Sequence, residues 1–456
     1  MAPKAILAYA LGVLVFLGWF AWRFAPERLY SDSGYYLFHV VNEGGFHIEH
    51  GRWVLALSQL LPWLGVKLGL PLSQLIVLHS LNNVIFLMLS LVFVIGVLKD
   101  LRSGLALSAI HLVGLTHGLF CPIFELYYGV ALIVVFRAVL RKERLAAPWR
   151  WGLLSVLFLG ILSSHFLGVL LVLGVLFIDR SWRDRRLFIL LMVLFLAHLA
   201  WHSLTMSAYE RERLGFIDPL GRPTQLLDLF SLERLLALGG YLLRKYPDLL
   251  AVVLFCVAAL WRNKRRWELL VFHVVLLVLY VLIGLYHPDL GYDRYSEQLN
   301  FAFAAWVVLV LCHPELRPPR GPIPVLTLIV LATLFRMAEA VRVAPFYEAR
   351  TAWHRDRIEQ AHDLSLTKGI VRADLEFGTP HDHVDMSWST SVESLLLSSC
   401  SGPERTVSLI TDWDVQFEDV STKLDSFIFR RWDVMDPAAL DRVYFTPPEG
   451  RYVLME

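Results

Sequence analysis

Apolar residues in this chain run in long blocks, and charged residues collect at the junctions between them. From Ala5 to about Val341 the blocks reach roughly 16 to 25 residues, the length a helix needs to cross about 30 Å of hydrocarbon. Ala5–Phe24 has the position of a signal peptide, yet it lacks a small-residue cleavage site and many similar blocks follow, so it reads as a retained first helix. The pattern predicts spans over 5–24, 72–98, 104–120, 126–140, 150–164, 166–178, 187–206, 248–262, 267–286, 297–312 and 322–341. This is an all-α polytopic membrane protein of about 11 transmembrane helices.

The basic residues fall at every second junction. With the N-terminus inside, the inner turns hold Lys99/Arg102, Arg141/Lys142/Arg144/Arg150, Arg180/Arg183/Arg185/Arg186, Arg262/Lys264/Arg265/Arg266 and Arg317/Arg320, the positive-inside pattern. The opposite junctions, Tyr30–Arg52, Cys121–Tyr128, Ser163–His165, 207–246 and His287–Gln298, then face outward. External loops are thus expected over 25–71 and 207–246. Trp53–Val66 is apolar but short and interrupted by Pro62, and counting it as a span would invert every later loop; it reads as a helix lying along the outer interface. Leu226–Tyr241 reads the same way, and together they imply an outer vestibule.

After Val341 charged and polar residues rise. The membrane domain is placed at 1–344 and a soluble domain at 345–456, about 110 residues, enough for one small unit. Tyr347–Leu364 reads as a polar helix, and Thr406–Thr411, Arg442–Phe445 and Arg451–Leu454 as short strands. A small C-terminal α+β extracytoplasmic cap is expected. Of the four cysteines only Cys400 lies in it, so it has no internal disulfide. The composition, 56% hydrophobic and 18% charged, agrees with a membrane protein. The net charge of +1 carries no signal for nucleic acid.

Candidate chemistry sits in the outward loops. Ser31-Asp32-Ser33-Gly34-Tyr35-Tyr36 places a carboxylate just beyond the first helix, at the depth of a lipid headgroup, where it could take a proton from an acceptor hydroxyl. The alternative is that Asp32 caps a helix beginning near Gly34. Near the other end, Asp293-Arg294-Tyr295 offers a guanidinium suited to a phosphate, or else a surface pair with Asp293 or Glu297.

Taken together, Asp32 with Tyr35 and Tyr36, Gly51-Arg52 leading into an interfacial helix, Asp293-Arg294-Tyr295 and the outer cap resemble the GT-C superfamily of polytopic membrane glycosyltransferases. The resemblance implies a sugar carried on a polyprenyl phosphate and transferred, with inversion, to a glycan, lipid or protein acceptor at the outer face of a bacterial inner membrane. It makes Asp32 the general base, and Arg294, Tyr295, Arg52, Tyr35 and Tyr36 substrate-binding residues. Metal-dependent members have a paired acid in the first loop, whereas this chain has Ser31-Asp32-Ser33. No cofactor is certain, and a divalent cation, Mg or Mn, stays open.

Glu125, an acid at the outer end of a span, is a further substrate-binding candidate, or a helix-end residue in water. His165 could touch a phosphate or sugar, as could His202 and Tyr209, or be satisfied by a neighbouring helix. Glu43, His47, Glu49 and His50 bear metal-binding atoms at close spacing but match no zinc motif and read equally as solvated loop residues. His381-Asp382-His383-Val384-Asp385 and Asp412-Trp413-Asp414 in the cap read as turns. Two other functions are open to this sequence: a lipid or glycan transporter or flippase, drawing on mid-span Asn82, Asn83 and His273, and an acyltransferase using His111, His117 or His198 as base.

Overall fold

The computed structural model describes residues 3–142, 145–207, 211, 223–286, 293–313, 323–373, 386–430 and 433–455. Long apolar blocks fold as helices because a helix satisfies its own backbone polar groups where no water can. Among the described residues, four helices are long and apolar enough to cross a membrane: α1 (Pro3–Arg23), α4 (Leu72–Leu91, continued by a π-helical turn to Val97), α9 (Arg185–Thr205) and α13 (Arg266–Tyr286). A helix of 21 residues, as in α1, α9 and α13, runs about 31 Å at 1.5 Å per residue, which matches the hydrocarbon thickness. The shorter α6 (Glu125–Leu140), α7 (Ala147–Leu162), α8 (Phe166–Ile178) and α12 (Pro247–Arg262) fall on four other expected spans. The helical bundle is completed by α14 (Asp293–Leu311) and by α15 (Ile323–Asp363), a 41-residue helix that carries the chain unbroken through residue 344 and includes the polar stretch expected from Tyr347.

The expected span over 104–120 is not one helix. α5 (Leu101–Ile110) stops after 10 residues, about 15 Å, and buried turns and a 3-10 segment follow it to Phe120. Gly114 explains the break: its φ is +79°, and a Cβ there would stand 2.7 Å from the Ala304 Cβ on α14. The freed amides of Thr116 and Gly118 donate to the Glu297 carboxylate at 2.9 and 2.6 Å.

The expected interfacial helices are short, separate helices: α3 (Leu55–Lys67), α10 (Pro223–Leu229) and α11 (Leu232–Lys245). One end of the bundle gathers junctions expected to lie inside. There Arg137 and Arg141 both bind Asp179, His313 Nε2 lies 3.0 Å from the same carboxylate, and Lys142 donates to the Leu98 carbonyl. The opposite end gathers Arg52, Glu125, His50 and Ser207.

In the cap, β1 (Lys368–Val371), β2 (Ser408–Thr411) and β5 (Val453–Leu454) form a parallel sheet ordered β2-β1-β5, and β3 (Phe427–Arg430) pairs antiparallel with β4 (Asp433–Met435). The expected strand at Arg442–Phe445 is a turn, in which the Asp441 carbonyl accepts from the amides of Tyr444 and Phe445. Helix α16 (Thr390–Ser399) packs on this sheet and also on α2 (Asp32–Glu43), the helix in the first loop after α1. Leu37, Phe38 and Val41 of α2 share one core with Val392, Leu395, Leu396, Phe427 and Phe445 of the cap. The Asn42 side chain accepts from the Asp441 amide at 2.8 Å and donates to the Ala439 carbonyl at 3.3 Å. First loop and cap therefore bury their apolar faces against each other.

Candidate functional site

Asp32 opens α2, and the backbone before it is strained. Ser31 sits at φ +60°, ψ −130°, a state that costs a non-glycine residue on the order of 1–3 kcal/mol and persists only where its surroundings impose it. Here the cap does so. The Ser31 amide donates to Glu393 Oε1 at 3.1 Å, and the same oxygen accepts from Ser389 Oγ at 2.6 Å while Arg350 binds the other. The Arg350 guanidinium also lies 5.4 Å over the Tyr30 ring. Gly34 permits this turn, because a Cβ there would meet the Leu29 carbonyl oxygen at 2.5 Å. The buried Arg28 ties the loop down by donating to the carbonyls of Leu119 and Ser80 and to Asn83 Oδ1.

The cap reading of Asp32 needs correction: α2 begins at Asp32 itself, and Ser31, at the N-cap position, makes no side-chain cap bond. The Asp32 side chain is half-buried in the first turn of α2.

Tyr36 links Asp32 to the other candidates. Burial, then the carboxylates of Glu125 and Glu49, push its phenol well above the usual range, with Arg52 and Asp32 also in electrostatic reach. It stays a protonated donor and gives its hydroxyl to Glu49 Oε2 at 3.2 Å. Arg52, at the lead-in to α3, donates to Glu125 Oε1 at 2.6 Å, and both act electrostatically on His165. The Nδ1 of His165 accepts from the Leu167 amide and so caps α8. Arg52, Glu125 and His165 thus form one electrostatic group from three separate stretches of chain, and Tyr36 lies in reach both of the Arg52–Glu125 pair and of Asp32.

A second group lies beyond Tyr36. Tyr35 donates to Glu49 Oε1 at 2.6 Å, and Arg430 of the cap stands 3.9 Å over its ring. Burial works against ionisation of Glu49, but His47, Tyr35 and Arg430 together hold its carboxyl down at about 2. Of the possible metal ligands, Glu43 and His47 approach each other, with His39 joining them. Glu49 is committed to the tyrosines, and His50 Nδ1 meets Ser207 Oγ at 3.2 Å.

Arg294 and Tyr295 belong to the first turn of α14 as backbone, and their side chains lie outside the described residues, as do Tyr209 and the 381–385 motif. One turn on, Glu297 is fully buried and accepts from Thr116, Gly118 and, at 2.8 Å, the Tyr246 hydroxyl, which excludes a surface role for it. Tyr246 also lines an apolar cavity of about 340 Å³ between α11, α12, α13 and α14, bounded by Leu238, Leu276 and Phe303, with Arg234 among its described lining residues.

Several other candidates are structural. Asn82 joins α3 to α4 through the Leu61 amide and the Leu57 carbonyl, and Asn83 receives Arg28. His111 and His273 each face a carbonyl of their own helix, and His117 the Tyr347 hydroxyl. In the cap, Asp414 binds Thr411 Oγ1 and Asp412 accepts from the Ala373 amide, the roles of turn residues. Sequence reasoning missed His39, Glu393, Arg350 and Arg430. For Glu393 one signal existed: a lone acid in a run of serine and leucine. No family model matches this chain, and comparison with curated proteins and with solved structures gives no match either.

Proposed function

We propose that the chain is a membrane glycosyltransferase that moves a sugar from a polyprenyl-phosphate donor to a glycan, lipid or protein acceptor on the outer face of the membrane. The reading rests on one observation: Asp32 follows a backbone turn held by the cap and lies in electrostatic reach of Tyr36, which is itself in reach of the Arg52–Glu125 pair.

In this reaction Asp32 takes the proton of the acceptor hydroxyl as its oxygen attacks the anomeric carbon from the face opposite the phosphate. The carbon–oxygen bond to the phosphate breaks and the lipid phosphate leaves with the electron pair. Arg294 stabilises the charge that develops on it. Tyr36, a donor at neutral pH, and the Arg52–Glu125 pair orient the sugar. The 340 Å³ cavity beside α14 suits the first isoprene units of the carrier, and Arg234 its phosphate. Transport is less favoured, because Asn82 and Asn83, the polar groups it would use, are spent on helix packing. So is acyl transfer, since His111 and His117 face a helix carbonyl and a tyrosine hydroxyl.

The test is transfer from a labelled polyprenyl-phosphate sugar by membranes carrying Asp32→Asn or Arg294→Ala. Both variants are expected to insert normally and to lose most of the rate. Transfer at the parental rate by both would end this assignment.

A further inference from the structure

We propose that His39, Glu43 and His47 form a zinc site that staples α2 to the loop following it. The proposal is independent of the transferase reading. His39 and Glu43 are four residues apart and so project from one face of α2. The helix ends at Gly44, whose φ of +62° turns the chain back and lays His47 over them. The two imidazoles stack with centroids 3.8 Å apart and planes 10° from parallel, so ligation requires one ring to turn about its Cβ–Cγ bond until both in-plane lone pairs meet one ion. Their Nδ1 atoms address opposite oxygens of the same carboxylate, His39 at 2.5 Å from Oε1 and His47 at 3.4 Å from Oε2.

One ligand atom from each residue lies within 4.8 Å of the others. Zinc bonds of about 2.0–2.2 Å to nitrogen and oxygen in a tetrahedron place neighbouring ligands roughly 3.3 Å apart. The His47 Nδ1–Glu43 Oε2 separation is close to that value and the His39 Nδ1–Glu43 Oε1 contact must open by about 0.8 Å, the carboxylate binding the ion through both oxygens or turning to present one. Two imidazoles and a carboxylate are a donor set for zinc. Magnesium prefers oxygen ligands and retained water. Three protein ligands leave a fourth position for water on the side of Glu43, the most exposed of the three at 43%.

The surroundings of His47 are those of a ligated imidazole. His47 Nε2 lies 3.3 Å from the Tyr35 hydroxyl and 3.5 Å from Glu49, the carboxylate that fixes a metal-bound histidine in other sites. Arg430 faces Glu49 from the cap at 3.9 Å and balances that second carboxylate.

The experiment uses the full chain in detergent, stripped with a chelator, dialysed against zinc and assayed for bound metal, then titrated with cobalt in parallel. The expected result is one zinc per chain and visible cobalt bands of four-coordinate intensity, neither reduced by a large excess of magnesium. Glu43→Gln and His47→Asn should abolish stoichiometric binding while His50→Ala keeps it, and Tyr35→Phe should weaken it about tenfold. Wild-type protein that holds no stoichiometric zinc overturns the proposal, as does zinc held equally by His47→Asn and wild type, or zinc lost equally from His50→Ala.

Discussion

Replacing Glu393 by Gln tests whether the cap imposes the geometry of the first loop. The carboxylate is 5% exposed, and it faces Arg350, 3% exposed. Glutamine keeps the shape and one acceptor, so the Ser31 amide and Ser389 hydroxyl are still served, but its amide turns a donor toward the guanidinium. Breaking a buried pair from one side typically costs about 3–5 kcal/mol, because the remaining charge stays desolvated. The exposed pair Arg342–Glu339, at 59% and 23%, provides the contrast: Arg342→Ala should cost about 0.5 kcal/mol or less. Pulse proteolysis of the full chain in detergent reads both, and a cycle with Arg350→Gln isolates the coupling. A Glu393–Arg350 coupling below about 0.5 kcal/mol would mean that burial does not strengthen this pair, and the argument would fail. If the transferase reading holds, relaxation of Ser31 also displaces Asp32. A shift of about 1 Å in a reacting group can cost on the order of a hundredfold, so kcat should fall in Glu393→Gln with KM little changed.

Other outcomes follow from neighbouring geometry. Gly34→Ala drives a Cβ against the Leu29 carbonyl and should destabilise the loop by about 1–3 kcal/mol, seen as faster cleavage within residues 44–54. The stability losses of Arg52→Ala and Glu125→Ala should sum to more than the loss in the double variant, because either change alone leaves a partly buried charge without its ion-pair partner; additive effects in a double-mutant cycle would refute this. Acidification should loosen the first loop in two stages. His39, faced by Glu43, His47, Tyr35 and Arg430, has a folded pKa lowered from 6.5 to about 4, so the stability it contributes is complete above 6.5 and falls as pH drops toward 4. Glu49, lowered from 4.5 to about 2, holds its contribution until below 4.5 and then loses it. Histidine NMR or proteolysis across pH 7 to 4 checks the first stage, and His39→Gln should remove it.

The bundle was legible because its signal repeats: each apolar block and each basic junction is a separate witness to the same alternation, and α1, α4, α9 and α13 agree with it to within a few residues. The block over 104–120 misled because composition alone describes it. Its break is caused by Gly114 packing on Ala304 and by Glu297 capturing two amides, partners 181 and 179 residues away that no local pattern reveals. The same limit applies to the site. Asp32, Tyr36, Arg52 and Glu125 were visible as polar residues at span ends, where charge is costly unless used. Their pairing was not, since Arg52 and Glu125 lie 73 residues apart. Reading the Asp32 loop by itself favoured a helix cap. The turn is set instead by Glu393, 362 residues on, whose role shows only when the cap is folded against α2.

That contact also bears on why a cap exists. A free loop of this length would sample many conformations, and holding Ser31 at positive φ needs an acceptor fixed in space with its charge compensated. The cap supplies the acceptor on α16, the compensating Arg350 on α15, and an apolar core that joins α16 to α2. Because α15 runs unbroken from the bundle into the cap, Arg350 is positioned by the membrane helices themselves. The strained turn before Asp32 is therefore stable only when three parts agree: the bundle through α15, the cap through α16, and the loop through the small residue Gly34. Separating the cap from the bundle by a flexible insertion after Arg350 should leave the membrane helices folded and release Ser31. An insertion variant that keeps full protease resistance over residues 25–54 would show that the loop holds its own shape, and the dependence argued here would be wrong.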